Sequence, residues 1–246
     1  MTYRDILFDY ARTFQAYGAT LKASARIVRD ARRGRLTHEA ADNHVHKWAT
    51  RIFNIAEASL QVHGTDEIQP KQSYVLMSNH ASFLDIPAVI RAYPNSTRMV
   101  AKSEMAAVPV FGEALRNIGT IIVDRADTKK SIEQLNRGKE ILTNGVSVWI
   151  SPEGTRSRDG QLGPFRKGGF HMAIQLEVPI LPIWIDGAFE VYSRSASRAK
   201  RGGQIHVAFG SPVRTTDCTK EDIPTLMQSV RDTMLSLQKN VATMKG

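Results

Sequence analysis

The sequence predicts an α/β fold, with a mostly parallel central sheet flanked by helices and preceded by an amphipathic two-helix hairpin. Three observations carry this expectation. From about residue 65 onward, short apolar runs alternate with helix-periodic segments. The runs are almost continuously apolar, as strands covered on both faces are. Residues 1–64 instead hold two longer stretches whose apolar residues recur at helical spacing. With 246 residues, 42% hydrophobic and 23% charged, the chain can bury a sizeable core and lacks a disordered composition. The expected organisation is a helical hairpin over 1–64 and an α/β body over 65–246.

Residues 5–35 read as one helix, on which Leu7, Phe14, Leu21 and Val28 recur every seven with Tyr10 and Tyr17 beside them. That narrow stripe is expected to pack on the larger body. The helix ends in Arg26, Arg29, Arg32, Arg33 and Arg35 around the Gly34 break, which suits a solvated helix end or an anionic lipid surface equally well. A second helix is expected to start at the cap Thr37 and to carry Val45, Trp48, Ile52, Ala56 and Leu60 on one side. After Gly64, strands are expected at Tyr74–Met77, Met99–Ala101, Thr120–Val123, Val146–Ile150, Ile180–Ile185 and Ile205–Phe209. Helices are expected near Leu84–Arg91, Val110–Asn117, Lys129–Thr143, Gly169–Leu176 and Ile223–Val241.

Charge and composition narrow the partners. Lys and Arg exceed Asp and Glu by 33 to 24, a net charge of +9 that favours an anionic partner. Nucleic acid is not expected, because no zinc spacing, aromatic RNA-binding run or glycine-rich clamp is present and aromatics make up 7%. No metal is expected either: His38, His44 and His46 form the densest histidine group, but their separations do not share a helix face. The lone Cys218 forbids an intramolecular disulfide and suits a reducing compartment. The most apolar run, Val178 to Ile185, is far short of the ~20 residues that span a bilayer. The N-terminus turns acidic at Asp5, so neither a transmembrane helix nor a signal peptide is expected, and the chain reads as peripheral, on the cytoplasmic face of a membrane.

Ligands on parallel sheets bind at loops leaving the carboxyl ends of strands, so the residues after each strand carry the chemistry. The first runs into Asn79-His80-Ala81-Ser82-Phe83-Leu84-Asp85. A carboxylate on one ring nitrogen of His80 would fix the tautomer and free the other as a base, although Ser82 to Asp85 also reads as a capped helix start. Gly119 to Val123 delivers Asp124 and Arg125, either a ligand-binding guanidinium or a surface ion pair. After Ile150, Pro152-Glu153-Gly154-Thr155-Arg156-Ser157-Arg158 supplies hydroxyls, a permissive glycine and two arginines. This is a plausible phosphate cradle or a hydrophilic turn closed by Asp159-Gly160. The prolines of Val178-Pro179-Ile180-Leu181-Pro182 ask for an edge or a strand entrance, a surface able to line an apolar groove. In Arg194, Arg198, Lys200 and Arg201 the choice lies between a solvated connection and a dock for anionic groups.

In this order the four blocks resemble the glycerolipid acyltransferase family, typified by the 1-acylglycerol-3-phosphate acyltransferases. Asn79 to Asp85 matches that family's NH-x4-D block and Pro152 to Ser157 its third block. Gly119 to Arg125 and Val178 to Pro182 look like the second and fourth. The resemblance implies transfer of a fatty acyl group from a thioester, acyl-CoA or acyl carrier protein, to the sn-2 hydroxyl of 1-acylglycerol-3-phosphate, giving phosphatidic acid. It implies His80 as general base and Asp85 as its orienting partner. The acceptor would be held by Lys102, Arg125, Glu153, Gly154, Thr155 and Arg156, and the acyl groove formed by Val178, Pro179 and Ile180. Glu153, unable to hold phosphate itself, is expected to orient an arginine or bond the glycerol backbone. No cofactor is implied beyond the thioester co-substrate, and no G-x-S-x-G elbow suggests an acyl-enzyme. Other implied possibilities are another lysolipid acceptor (a lyso-amino-acid lipid or lysocardiolipin) and a non-catalytic lipid-binding relative. Residues 1–64 are charged and amphipathic where many relatives begin with strongly apolar helices.

Overall fold

The computed structural model describes residues 3–123, 145–193 and 200–245, with side chains described from Asp9 onward. Two helices open the chain, α1 (Tyr3–Arg32) and α2 (His38–Ala56). Thr37 caps α2 as expected, its hydroxyl accepting the Ala40 N–H at 3.1 Å. Glu57 ends that helix in the left-handed conformation, at φ 53°. The chain then enters β1 (Ser59–His63), which belongs to the sheet although it precedes Gly64. In order follow β2 (Val75–Ser78), α3 (Asp85–Ala92), β3 (Thr97–Lys102), the short α4 (Ser103–Ala106), α5 (Phe111–Asn117), β4 (Ile121–Val123) and β5 (Ser147–Ile150). The chain finishes with α6 (Gly168–Gln175), β6 (Ile180–Asp186), α7 (Ala188–Tyr192), β7 (Gln204–Phe209) and α8 (Ile223–Lys245). The helix expected at 129–143 lies outside the described residues.

The strands form one sheet in the order β1-β7-β6-β2-β5-β3-β4, parallel except between β6 and β7. Alternate side chains feed two cores. Leu76, Leu181 and Ile183 face Phe53 of α2, Val89 of α3 and Leu84 just before it. Val75, Met77 and Ile180 face Phe170 of α6 and Val230 and Met234 of α8. Pro182 sits inside this central strand. Its carbonyl accepts the Gly210 N–H at 2.9 Å, beyond the first β6–β7 pair at Ile183 and Phe209, so the missing N–H falls where that ladder ends.

The hairpin docks through the stripe expected on α2, with Ile52 and Ala56 buried and Trp48 and Leu60 packed against the core, and polar ties add to it. Trp48 donates to Thr20 and His44 meets Asp30, joining α2 to α1, while Arg98 reaches from β3 to Asp42 of α2. Arg32 forks onto Glu113 of α5, and Arg12 and Arg201 share Glu57. Of the proposed cationic loop, Arg201 is therefore engaged with the hairpin, and Arg194 and Arg198 lie outside the described residues. The stripe expected on α1 turns outward instead: Phe14 is 73% exposed, Tyr17 60% and Leu21 56%, and among its described side chains only Val28, at the far end, is buried. The inner side of α1 is mostly small or polar, with Thr13 and Ser24 buried and Ala16 and Ala19 against the core, until Ile27 joins Val28 near its end.

Candidate active site

Parallel pairing brings the carboxyl ends of β2, β3, β5 and β6 to one edge of the sheet, where the loops 79–84 and 151–167 meet. Asn79 begins the site by extending the ladder with a side chain. Its amide donates to the Ile185 carbonyl and accepts the Ile185 N–H, both at 2.8 Å. This fixes the chain one residue before His80.

His80 Nδ1 lies 2.8 Å from Asp85 Oδ2. The same oxygen accepts the N–H groups of Ala81 at 2.8 Å and Ser82 at 2.7 Å, so Asp85 is held as an acceptor and the ring nitrogen facing it donates. That tautomer leaves the lone pair on Nε2. The Asp85 side chain is almost sealed at 2% exposure, whereas that of His80 keeps 17%, so the ring is reachable from solvent and its partner is not. Trp149 packs against the ring at 88° with centroids 5.4 Å apart, and its indole N–H is anchored on Ser78. Ser82 turns its hydroxyl inward, donating to the Tyr192 carbonyl at 2.7 Å and accepting from the Leu84 N–H at 3.0 Å. It braces the turn, as its place before the helix suggests.

The loop after β5 grips His80 from both backbone groups. Glu153 Oε1 accepts the His80 N–H at 2.9 Å, and the Ser157 N–H donates to the His80 carbonyl at 2.7 Å. Glu153 Oε2 accepts the Gly163 N–H at 2.9 Å. The sequence reading has Glu153 orient an arginine or meet the acceptor; in the structure each of its oxygens accepts a backbone N–H, and the residue is buried within the loop. Burial pushes its carboxyl up from the usual range, and the two N–H bonds pull it partly back. A Cβ at residue 163 would crowd Glu153 Oε2 at 3.0 Å, a close approach that glycine leaves open. Gly154 turns the loop at φ 72°.

The remaining expected residues divide. Gly154, Thr155 and Arg156 share this loop, with Thr155 exposed and Arg156 half-buried, its guanidinium carbon 3.7 Å from the centre of the Phe83 ring. Lys102 ends β3 at the same edge of the sheet and is exposed. Arg125 lies outside the described residues. Val178, Pro179 and Ile180 are not at this edge. Ile180 pairs with Val75 at the opposite end of β2, fully buried, and Pro179 gives its carbonyl to the Val75 N–H. An apolar run with prolines here marks a strand entering a closed core, not a groove beside His80. Trp149, Gly163 and Tyr192 support the site without having been expected, and Ser157, expected for its hydroxyl, supports it through its backbone N–H. Their contributions are a packed ring and backbone bonds, for which a sequence carries little signal.

Among the described residues no group of three or more His, Cys, Asp or Glu side chains is arranged to hold a metal ion. No described helix is long and apolar enough to cross a membrane.

Comparison with known proteins places the family. A family model described as Acyltransferase matches residues 59–186. The chain is 35% identical over 185 residues to 1-acyl-sn-glycerol-3-phosphate acyltransferase alpha of Mus musculus, covering 75% of this chain and 65% of that protein. It is 34% identical over 179 residues to 1-acyl-sn-glycerol-3-phosphate acyltransferase of Saccharomyces cerevisiae, covering 72% of this chain and 59% of the relative. The chain thus spans less than two thirds of the length of these relatives. The crystal structure of the 1-acyl-sn-glycerophosphate (LPA) acyltransferase PlsC from Thermotoga maritima superposes with a TM-score of 0.75 at 23% identity. It covers 99% of this chain and 97% of that one, so the fold is shared.

Proposed function

The chain belongs to the acyltransferase family, and from that premise we propose that it transfers a fatty acyl group from a thioester to the sn-2 hydroxyl of 1-acylglycerol-3-phosphate. The observation that carries the proposal is the His80–Asp85 pair, with Nδ1 fixed at 2.8 Å and the ring reachable. An alcohol is a weak nucleophile at neutral pH, and a positioned base that takes its proton as it attacks contributes about 10²–10⁴-fold. His80 Nε2 accepts that proton while the oxygen forms its bond to the thioester carbonyl. As the tetrahedral intermediate collapses, the carbon–sulfur bond breaks and the imidazolium returns the proton to the leaving thiolate. Asp85 stabilises the imidazolium and holds the ring in register. No acyl-enzyme is required.

Arg156, with Lys102 and Arg125, holds the acceptor phosphate, because a dianion at this edge needs cationic donors and Arg156 stands on the loop that grips His80. Glu153 serves as the brace beneath that loop. The donor is acyl-CoA or an acyl carrier protein thioester.

The outward stripe of α1 meets a membrane surface. Tyr10, Phe14, Tyr17 and Leu21 follow one another at helical spacing and remain exposed, and the same helix ends in a basic last turn with Arg29 and Arg32. Anionic lipid on the cytoplasmic face supplies both the acceptor and the complementary charge.

The test is a matrix of acyl-CoA and acyl carrier protein thioesters against 1-acylglycerol-3-phosphate, lysocardiolipin and a lyso-amino-acid lipid. Thioester-dependent formation of phosphatidic acid is expected to dominate. Faster acylation of another lysolipid would change the acceptor. Lysolipid binding without turnover from any donor would make this a non-catalytic relative.

A further inference from the structure

Between His80 and Asp85 the catalytic loop carries one residue that breaks the local pattern of burial. Ala81, Ser82 and Leu84 are all buried, yet Phe83 is 40% exposed, which costs a large apolar side chain its shelter. One face of its ring is covered by a cation: the Arg156 guanidinium carbon lies 3.7 Å from the ring centre, well inside the ~6 Å over which a cation is attracted to an aromatic face. Tyr192 backs the ring, with centroids 4.6 Å apart and planes tilted by 37°.

This stack is built into the loop by backbone bonds. Phe83 N–H donates to the Tyr192 carbonyl at 3.2 Å, the Ser82 hydroxyl donates to that same carbonyl, and Ser82 bridges to Ser193. Tyr192, itself buried, reaches Thr13 and Tyr17 of α1 through its hydroxyl. The ring that carries Arg156 therefore stands on fixed supports from α7 and α1. Arginine is long and loses rotamer freedom when it grips an anion, so a flat platform that holds it beforehand lowers the cost of binding.

We propose that Phe83, backed by Tyr192, is a positioning residue that holds the Arg156 guanidinium ready for the acceptor phosphate and so sets the affinity for the acceptor rather than the rate of acyl transfer. The proposal rests on the reading of Arg156 as a phosphate ligand. It gives the exposed aromatic of the NH-x4-D loop a task distinct from that of His80 and Asp85.

Steady-state kinetics of four variants test it, with acceptor varied at saturating thioester and then the reverse. Phe83→Leu keeps an apolar side chain and removes the π face. It is expected to raise the acceptor KM about 3- to 30-fold, the range a cation–π contact spans between exposed and desolvated sites. The kcat, the thioester KM and the melting temperature should stay near wild type. Phe83→Trp, which presents a better face, is expected to restore the acceptor KM. Arg156→Ala alone should raise that KM further, and Phe83→Leu added to it should change nothing more. An acceptor KM within twofold of wild type in Phe83→Leu, beside a large effect of Arg156→Ala, overturns the platform and leaves Arg156 as the ligand. No effect of Arg156→Ala overturns the phosphate assignment itself, and the platform with it. A loss in kcat and melting temperature without the KM change, or failure of Phe83→Trp to rescue, assigns Phe83 to packing alone.

Discussion

Glu153→Gln keeps the shape of the side chain and removes one of its two acceptors. In the folded protein Oε1 takes the His80 N–H and Oε2 the Gly163 N–H, both at 2.9 Å. A glutamine has one oxygen, so its amide N–H₂ must face one of those donors. The lost bond is charge-assisted, about 1.5–3 kcal/mol, and a buried N–H left without an acceptor costs about 1–3 kcal/mol. Removing the charge gives part of this back, because burial already pushes the Glu153 carboxyl up and so opposes its ionised form. A net loss of about 1–3 kcal/mol is expected, which for a domain of this size lowers the melting temperature by about 2–12 °C. Activity should fall with it, because the His80 backbone shifts against its fixed Asp85, and misplacement on the ångström scale costs up to ~10²-fold. Differential scanning fluorimetry and kcat for the purified variant read both quantities. Unchanged stability and kcat with a raised acceptor KM would refute the reasoning and return Glu153 to the role of substrate ligand.

Three further outcomes follow from the geometry. Asp85→Asn leaves a neutral oxygen where three N–H donors converge, and is expected to lower kcat about 10²–10⁴-fold; a kcat within threefold of wild type would remove Asp85 from its orienting role. Phe14→Glu combined with Leu21→Glu should cut cosedimentation with anionic vesicles about tenfold or more without moving the melting temperature, since both side chains are exposed; undiminished binding would release α1 from the membrane surface. His206 is buried, with Lys245 and His63 beside it, and burial first and these neighbours next hold its pKa below the ordinary imidazole value despite Asp186. The folded state therefore resists its protonation, and the stability it contributes above ordinary imidazole titration is lost as pH falls through the lowered value. His206→Gln should flatten the acid-side decline of melting temperature below the ordinary imidazole pKa of about 6.5, and an unchanged slope would contradict this.

The reach of the sequence follows from which interactions leave a trace in it. Strands β2, β5 and β6 are buried on both faces, and their continuous apolar runs announce them. β1 is an edge strand with an exposed side, and the helix before it ends at Glu57, which adopts the left-handed conformation without the glycine that usually signals it. The boundary therefore reads from Gly64, several residues late. Periodicity finds the face of α1 formed by Phe14, Tyr17 and Leu21, but periodicity says nothing of what that face meets. His80 and Asp85 are legible because both partners lie in one short loop. Glu153 is misread because its partners are backbone N–H groups, which every residue but proline carries. Val178 to Ile180 are misread for a related reason: a strand entering a core and the wall of a groove are spelled with the same residues.

The central claim is that His80 takes the proton from a lysophospholipid hydroxyl, and the turnover of His80→Ala tests it most directly. With 1-acylglycerol-3-phosphate and an acyl thioester both saturating, kcat is expected to fall about 10²-fold or more, with acceptor and donor affinities retained. Turnover within a few fold of wild type, by a protein that melts normally, would contradict it.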